Sequence, residues 1–192
     1  AIAVTDVRSI FLTHIHLDHA GATGTLCLEN PNLQVYVHER GAPHMVDPAK
    51  LLSSATRLYG DDMDRLWGEF LPGPQDNVHV LEGGERVNLT DRELEVAYTP
   101  GHASHHVSFL DRSSGVAFVG DTAGVRTGEE LFAMPPTPPP DIDIGTWKAS
   151  VAQIERWQAE TLFLTHFGPH ENPATHLASL VGHLDGMALL AR

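Results

Sequence analysis

The sequence predicts an α/β fold in which helices cover the outer faces of β-sheets. Short strand-like segments alternate with helical segments along the chain. Several of the strands, such as residues 9–13 and 161–164, are almost entirely apolar, as expected for strands buried on both faces. Such strands need helices on the outside of the sheets. No repeat and no second domain is recognisable, so we expect residues 1–192 to form a single domain.

The individual elements follow from apolar spacing and from the positions of proline and glycine. Pro48 suits the first turn of a helix and Gly60 suits its end. Trp147, Val151 and Ile154 recur at helical spacing. Residues 39–77 contain no strand-like run, and we interpret them as a helical insertion that could act as a lid. Strands are expected at residues 34–37, 78–81, 94–98, 106–110 and 116–119, helices at residues 20–28, 49–58, 61–70, 146–157 and 173–190, and a stiff extended loop at residues 134–140.

Charge and cysteine content restrict the classes of partner. The chain has 12 basic and 25 acidic residues, and its net charge of -13 disfavours nucleic acid and anionic membrane surfaces. No apolar run approaches the roughly 20 residues of a membrane-spanning helix. The single cysteine, Cys27, rules out a disulfide within the chain and favours the cytoplasm. We expect a small-molecule substrate, and the sequence leaves a homodimer open.

Metal-binding residue types follow the ends of four apolar strands. His14, His102, Asp121 and His166 each come at or just after such a strand end. Strand ends in layered folds meet at one edge, so these side chains are expected to converge.

The densest part of this pattern is the segment from His14 to His19, which reads His-Ile-His-Leu-Asp-His. His14 and His16 are two residues apart and would point the same way in an extended chain, with Ile15 directed into apolar packing. Asp18 and His19 fall where the chain turns into a helix and could address a second position. Neutral imidazole and carboxylate suit zinc first, with manganese or iron as alternatives, and two such ions can activate a hydroxide between them.

These motifs resemble those of the metallo-β-lactamase superfamily. The resemblance rests on residues 14–19, Thr99-Pro100-Gly101-His102, Gly120-Asp121-Thr122 and Leu164-Thr165-His166. It implies a four-layer αββα sandwich with the site at one edge of the two sheets. It also implies that His14, His16 and His102 hold one metal ion, that Asp18, His19 and His166 hold a second, and that Asp121 bridges them. Asp18 would in addition be catalytic, as acceptor of a hydrogen bond from the nucleophilic hydroxide.

The resemblance also narrows the activity. The true β-lactamases of the superfamily have cysteine where this chain has Asp121, and the flavin-partnered diiron members have glutamate where it has His16. The pattern is closer to glyoxalase II and lactonases, so we expect hydrolysis of an ester, thioester or lactone by a hydroxide that bridges two metal ions. Two alternatives stay open. One is an oxygenase that uses a single iron to oxidise a persulfide, in which Asp18 and His19 would bind no metal. The other is a non-catalytic metal-binding protein.

Two further expectations concern the start of the chain and the remaining histidines. Family members have several strands before the histidine motif, whereas thirteen residues precede His14 here, so we expect the opening strands to be missing from this chain and the natural protein to be longer. His106 is expected to support a ligand through a hydrogen bond. Surface positions are expected for His79, His170, His176 and His183.

Overall fold

The computed structural model describes residues 2–126 and 132–190. The chain divides after Leu81 into two compact units. Each unit is a β-sheet with its own apolar core and its own helices. Within the described residues, no helix is both long and apolar enough to cross a membrane.

The first unit is built on three parallel strands in the order β1-β2-β3. The strands are β1 (Ser9–Phe11), β2 (Gln34–His38) and β3 (Val78–Leu81). The helices are α1 (Leu17–Ala20), α2 (Thr23–Glu29), α3 (Ala42–Val46), α4 (Ala49–Tyr59) and α5 (Met63–Trp67). Residues 39–77 contain helices and no strand, as expected from the sequence, and the role of this segment as a lid stays a prediction.

The second unit contains a six-stranded mixed sheet in the order β11-β10-β7-β6-β5-β4. Its strands are β4 (Arg86–Asn88), β5 (Glu93–Tyr98), β6 (Val107–Asp111), β7 (Val116–Gly120), β10 (Thr161–Leu164) and β11 (Gly168–His170). A two-stranded ribbon consists of β8 (Val125–Arg126) and β9 (Ala133–Met134), and the helices are α6 (Ile144–Arg156) and α7 (Pro173–Leu190).

One apolar core joins the sheet of the second unit to its two helices. Trp147 and Ile154 of α6, Leu180 of α7 and Val119 and Leu162 of the sheet are all almost completely buried in it. The helical apolar spacing predicted for α6 is therefore confirmed, and its apolar face lies against the sheet. This packing fixes the sheet whose edge carries three of the candidate ligands.

Strand direction in this sheet explains where those ligands lie. β5 and β7 are both antiparallel to β6, and β10 is parallel to β7, so β5, β7 and β10 run the same way. Their carboxyl ends share one edge of the sheet, and His102, Asp121 and His166 follow these ends. The predicted convergence of strand ends is confirmed within this unit.

The observed elements differ from the sequence-based expectation in several places. The first helix begins at Leu17 rather than at Ala20, so Asp18 and His19 lie in its first turn. It is separated from α2, which begins at Thr23. In the second unit the short strands β4, β8, β9 and β11 were not predicted, because each has only two or three residues and shows no periodic pattern.

Candidate metal centre

The first unit brings four of the predicted ligands together at the end of β1. His14 and His16 lie in the extended segment between β1 and α1, and their ring centroids are 4.6 Å apart. Ile15 and Leu17 are buried in the apolar core of this unit, which turns the two imidazoles to the other side of the chain. The predicted alternation is therefore confirmed, and it follows from the period of two in an extended chain.

The first turn of α1 adds two further ligand groups to this set. The His19 ring centroid is 3.9 Å from that of His14, and His19 Nε2 is 3.4 Å from Asp18 Oδ2. The His19 side chain is 5% exposed, whereas that of Asp18 is 39% exposed. One buried imidazole and one accessible carboxylate thus lie side by side, and the accessible group is the one for which the family resemblance implies a catalytic role.

The second unit places Asp121 between two histidines. Asp121 Oδ2 is 3.6 Å from His102 Nε2, and Asp121 Oδ1 is 3.5 Å from His166 Nε2. The Asp121 side chain is only 6% exposed. Gly120, immediately before it, has a φ of 49°, a left-handed conformation that glycine adopts without strain and that turns the chain at the end of β7. Each carboxylate oxygen is therefore directed at a different imidazole.

The protonation of His102 follows from its other contact. His102 Nδ1 is 2.9 Å from the carbonyl oxygen of Pro136. Because a carbonyl can only accept, Nδ1 carries the hydrogen, and in the neutral ring Nε2 is left with a lone pair towards Asp121. A backbone carbonyl at the far nitrogen is the usual way in which proteins fix the tautomer of a metal-ligating histidine.

These distances fit a cation better than direct hydrogen bonds. Separations of 3.5 and 3.6 Å between a ring nitrogen and a carboxylate oxygen exceed the range of a normal N–H···O hydrogen bond. They suit two ligand atoms that each lie about 2 Å from a shared ion. The donor set of imidazoles and carboxylates matches divalent metals of intermediate hardness. The residues of the second unit thus fit a metal ion on either side of Asp121.

Helix α6 packs against the loop that carries His102. Gly101 has a φ of 126°, and a Cβ atom at this position would lie 2.3 Å from the Cα of Trp147. The hydroxyl of Ser150 donates to the carbonyl of Pro100, and Asp143 caps the helix by accepting from the amide of Thr146. The helix and the loop that carries His102 approach each other so closely that only glycine fits at position 101.

Sequence reasoning missed several residues that support the site. Pro136, Thr99 and Trp147 contact the ligands or their loops, and none of them belongs to a metal-binding residue type. One expectation was wrong: His176 is 1% exposed, and its Nε2 donates to the carbonyl of Ala123 at 2.7 Å. Its place on the face of α7 that packs into the core explains the burial, because Leu177 and Leu180 lie on the same side.

Comparisons with known proteins point to one superfamily. The family model described as the metallo-beta-lactamase superfamily matches residues 1–166. A metallo-beta-lactamase fold-containing protein, ST1585, from Sulfurisphaera tokodaii is 31% identical over 162 residues, which are 83% of this chain and 60% of that protein. Its crystal structure aligns with a TM-score of 0.75 at 29% identity and covers 94% of this chain and 67% of that chain.

Two enzymes are similar over a shorter stretch. A hydroxyacylglutathione hydrolase from Trichodesmium erythraeum is 33% identical over 130 residues, 67% of this chain and 37% of that protein. An N-acyl homoserine lactonase, AttM, from Agrobacterium fabrum is 32% identical over 107 residues, 56% of this chain and 36% of that protein. The chain thus spans little more than a third of these two enzymes. The family match extends over most of the chain and over every predicted ligand, and the chain therefore belongs to the metallo-β-lactamase superfamily, whose fold it has.

Proposed function

We propose that this protein is a metal-dependent hydrolase that cleaves an ester, thioester or lactone with the help of two divalent metal ions. His14, His16 and His102 would hold one ion, Asp18, His19 and His166 would hold the other, and Asp121 would bridge them. The observation that carries the proposal is the position of Asp121, whose two carboxylate oxygens are directed at two different histidines. A bridging carboxylate needs this arrangement, whereas a single ion does not.

The nature of the metal follows from the ligands. Five of the seven candidate side chains are histidines and two are aspartates. Zinc is our first proposal because neutral imidazole and carboxylate are among its preferred ligands, and manganese and iron(II) are the alternatives. When bound, such ions lower the pKa of a coordinated water molecule to near neutral and polarise a carbonyl oxygen.

The remaining chemistry is carried by the protein's own side chains. The buried imidazoles of His14 and His102 and the buried carboxylate of Asp121 keep their positions without solvent competition. Asp18 is accessible enough to accept a proton from an attacking water molecule. The substrate classes are supported by the names of the two similar enzymes, which denote cleavage of an acylglutathione and of a lactone. The cytoplasmic location stays a prediction.

The test is the metal content of the purified protein, combined with a substrate panel. The protein is prepared without added metal, and zinc, manganese and iron per chain are measured by plasma mass spectrometry. We expect about two ions per chain and turnover of at least one thioester, lactone or simple ester. One iron per chain together with oxygen uptake on a persulfide would contradict the proposal in favour of the single-iron oxygenase. Two ions with no turnover of any acyl substrate would contradict the hydrolase and support a non-catalytic metal-binding protein.

A further inference from the structure

We propose that His106 is a positioning residue that holds Asp121 and the loop of His102 in the arrangement needed to bind metal. This inference rests on the proposed function, because it assigns His106 a role only if Asp121 is a metal ligand. The starting point is one contact: the backbone amide of Asp121 donates to His106 Nε2 at 3.2 Å. His106 is completely buried, and this contact joins the residue just before β6 to the residue just after β7.

The contact determines the tautomer of His106. Because the Asp121 amide is a donor, Nε2 must accept and the hydrogen of the neutral ring is on Nδ1. Nδ1 then donates to the hydroxyl of Thr99, which is 2.9 Å away. The Thr99 hydroxyl is also 2.9 Å from that of Ser108, so it can accept from the ring and donate onwards. The direction of each hydrogen bond is therefore consistent along the series from Asp121 to Ser108.

The same residues close the loop that carries His102. The amide of Thr99 donates to the carbonyl of His106 at 3.0 Å, so the first and last residues of the loop are paired through the backbone as well as through their side chains. The hydroxyl of Thr122, next to Asp121, donates to the carbonyl of Thr99 at 2.9 Å. His106 thus contacts both the segment of Asp121 and the loop of His102, and it lies immediately before β6, the strand that separates β5 from β7.

Because this network is buried, loss of one of its hydrogen bonds is costly. Thr99, His106 and Ser108 are all fully buried, so water cannot replace a lost partner without rearrangement. A buried donor left without its acceptor costs more than the hydrogen bond itself contributed. Removal of the Nε2 acceptor would therefore turn the Asp121 amide away from its present direction, and the carboxylate would move with it. Loss of such supporting contacts typically weakens metal binding about 10–100-fold.

Two substitutions distinguish the roles of the two ring nitrogens of His106. In His106→Gln the side-chain oxygen can take the place of Nε2 and accept from the Asp121 amide. In His106→Asn the shorter side chain can replace Nδ1 as donor to Thr99 but does not reach Asp121. His183→Asn is the matched control, because the Nδ1 of His183 donates to the carbonyl of Ala133 on the ribbon strand β9. Zinc affinity is measured on the metal-free full chain by competition with a chromophoric chelator, together with the melting temperature without metal.

We expect His106→Asn to bind zinc about 10–100-fold more weakly than the unchanged protein, and His106→Gln and His183→Asn to bind it nearly as tightly. Equal affinities in both His106 variants would overturn the inference. If both variants also lost the same number of degrees in melting temperature, the role of His106 would be merely structural. If His106→Asn does not fold, Thr99→Val replaces it: removal of the hydroxyl that orients the ring should weaken zinc binding, and unchanged affinity would contradict the role. If the unchanged protein bound none of zinc, manganese and iron(II), that result would instead refute the proposed function, and this inference with it.

Discussion

Asp121 and Asp111 are two buried aspartates at opposite ends of the strand pair β6 and β7. Their carboxylates have different neighbours and therefore make different interactions. Asp111 accepts from the amide and hydroxyl of Ser113 and from Arg92, so its oxygens are used by a turn and by an ion pair. The hydrogen bond from the Ser113 hydroxyl, the largest cause, lowers the pKa of Asp111. Asp121 instead directs one oxygen at each of two imidazoles. A buried carboxylate that faces ring nitrogens beyond hydrogen-bond distance is the better metal ligand.

Replacement of each aspartate by asparagine tests this difference between them. Asp121→Asn keeps the shape but removes the negative charge and one acceptor oxygen, so we expect metal content to fall to one ion per chain or less. Turnover should fall by more than about a hundredfold, since a lost ion removes both water activation and carbonyl polarisation. Asp111→Asn should retain its metal but unfold at lower temperature, because the turn loses charge-assisted hydrogen bonds. Metal analysis and thermal melts of both variants check this, and full metal content in Asp121→Asn would contradict the assignment.

At the scale of elements, β5, the His102 loop and α6 meet at a junction that hydrogen bonds and close packing hold together. Trp147 of α6 is completely buried, and its indole nitrogen donates to the carbonyl of Thr122, next to Asp121. Its ring also lies edge-on to that of His102 with centroids 5.4 Å apart. The helix therefore supports the segments that carry His102 and Asp121, and its apolar face does more than fill the core.

Gly101→Ala tests the close approach between this loop and the helix. The substitution forces a side chain into a positive-φ conformation, which costs about 1–3 kcal/mol, and its Cβ would overlap the backbone of Trp147. We expect a clear loss of stability and weaker metal binding. Gly182→Ala is the control, because Gly182 lies in α7 with nothing near its Cβ position, and it should stabilise the chain by up to about 1 kcal/mol. Chemical denaturation of both variants gives the comparison; an unaffected Gly101→Ala would show that the loop adapts.

At the scale of the whole chain, buried histidines connect stability to pH. Burial, the largest cause, lowers the pKa of His176, and the neighbouring His170 ring and Arg126 act in the same direction. In the folded chain His176 is therefore neutral at a pH where an exposed histidine already takes up a proton. Above about pH 6.5 the unfolded chain is neutral at this position as well, and the contribution of His176 to stability is fully present. It is lost as the pH falls below that value, because the unfolded state then binds the proton first.

His176→Gln should reduce this dependence on pH. We expect the free energy of unfolding of the metal-free protein to fall between about pH 6.5 and pH 5, and to fall less steeply in the variant. The other histidines titrate in both proteins, so the difference in slope isolates His176. The measurement is denaturant unfolding at a series of pH values in the presence of a chelator. Identical slopes would show that His176 keeps an ordinary pKa in the folded chain.

Local sequence was enough to predict most of the architecture of each unit and which candidate ligands lie at its strand ends. Apolar strands that end in histidine or aspartate have a short-range pattern, and so does the alternation of His14, Ile15 and His16. α6 was predictable because its apolar residues recur with the period of a helix. β11 was not predictable, because it contains Pro169. A proline is tolerated there only because β11 is an edge strand. That the seven ligands form one centre stays a prediction.

The sequence by itself determined which residues are available for chemistry and on which strand ends they lie. Only the tertiary structure decided how each candidate ligand is oriented. The carbonyl that fixes His102 belongs to Pro136, and the ring that accepts from the Asp121 amide belongs to His106. Burial of His176 likewise depends on which face of α7 packs into the core. These contacts join residues that are distant in sequence and often involve the backbone, which is the same at every position and therefore leaves no local pattern to read.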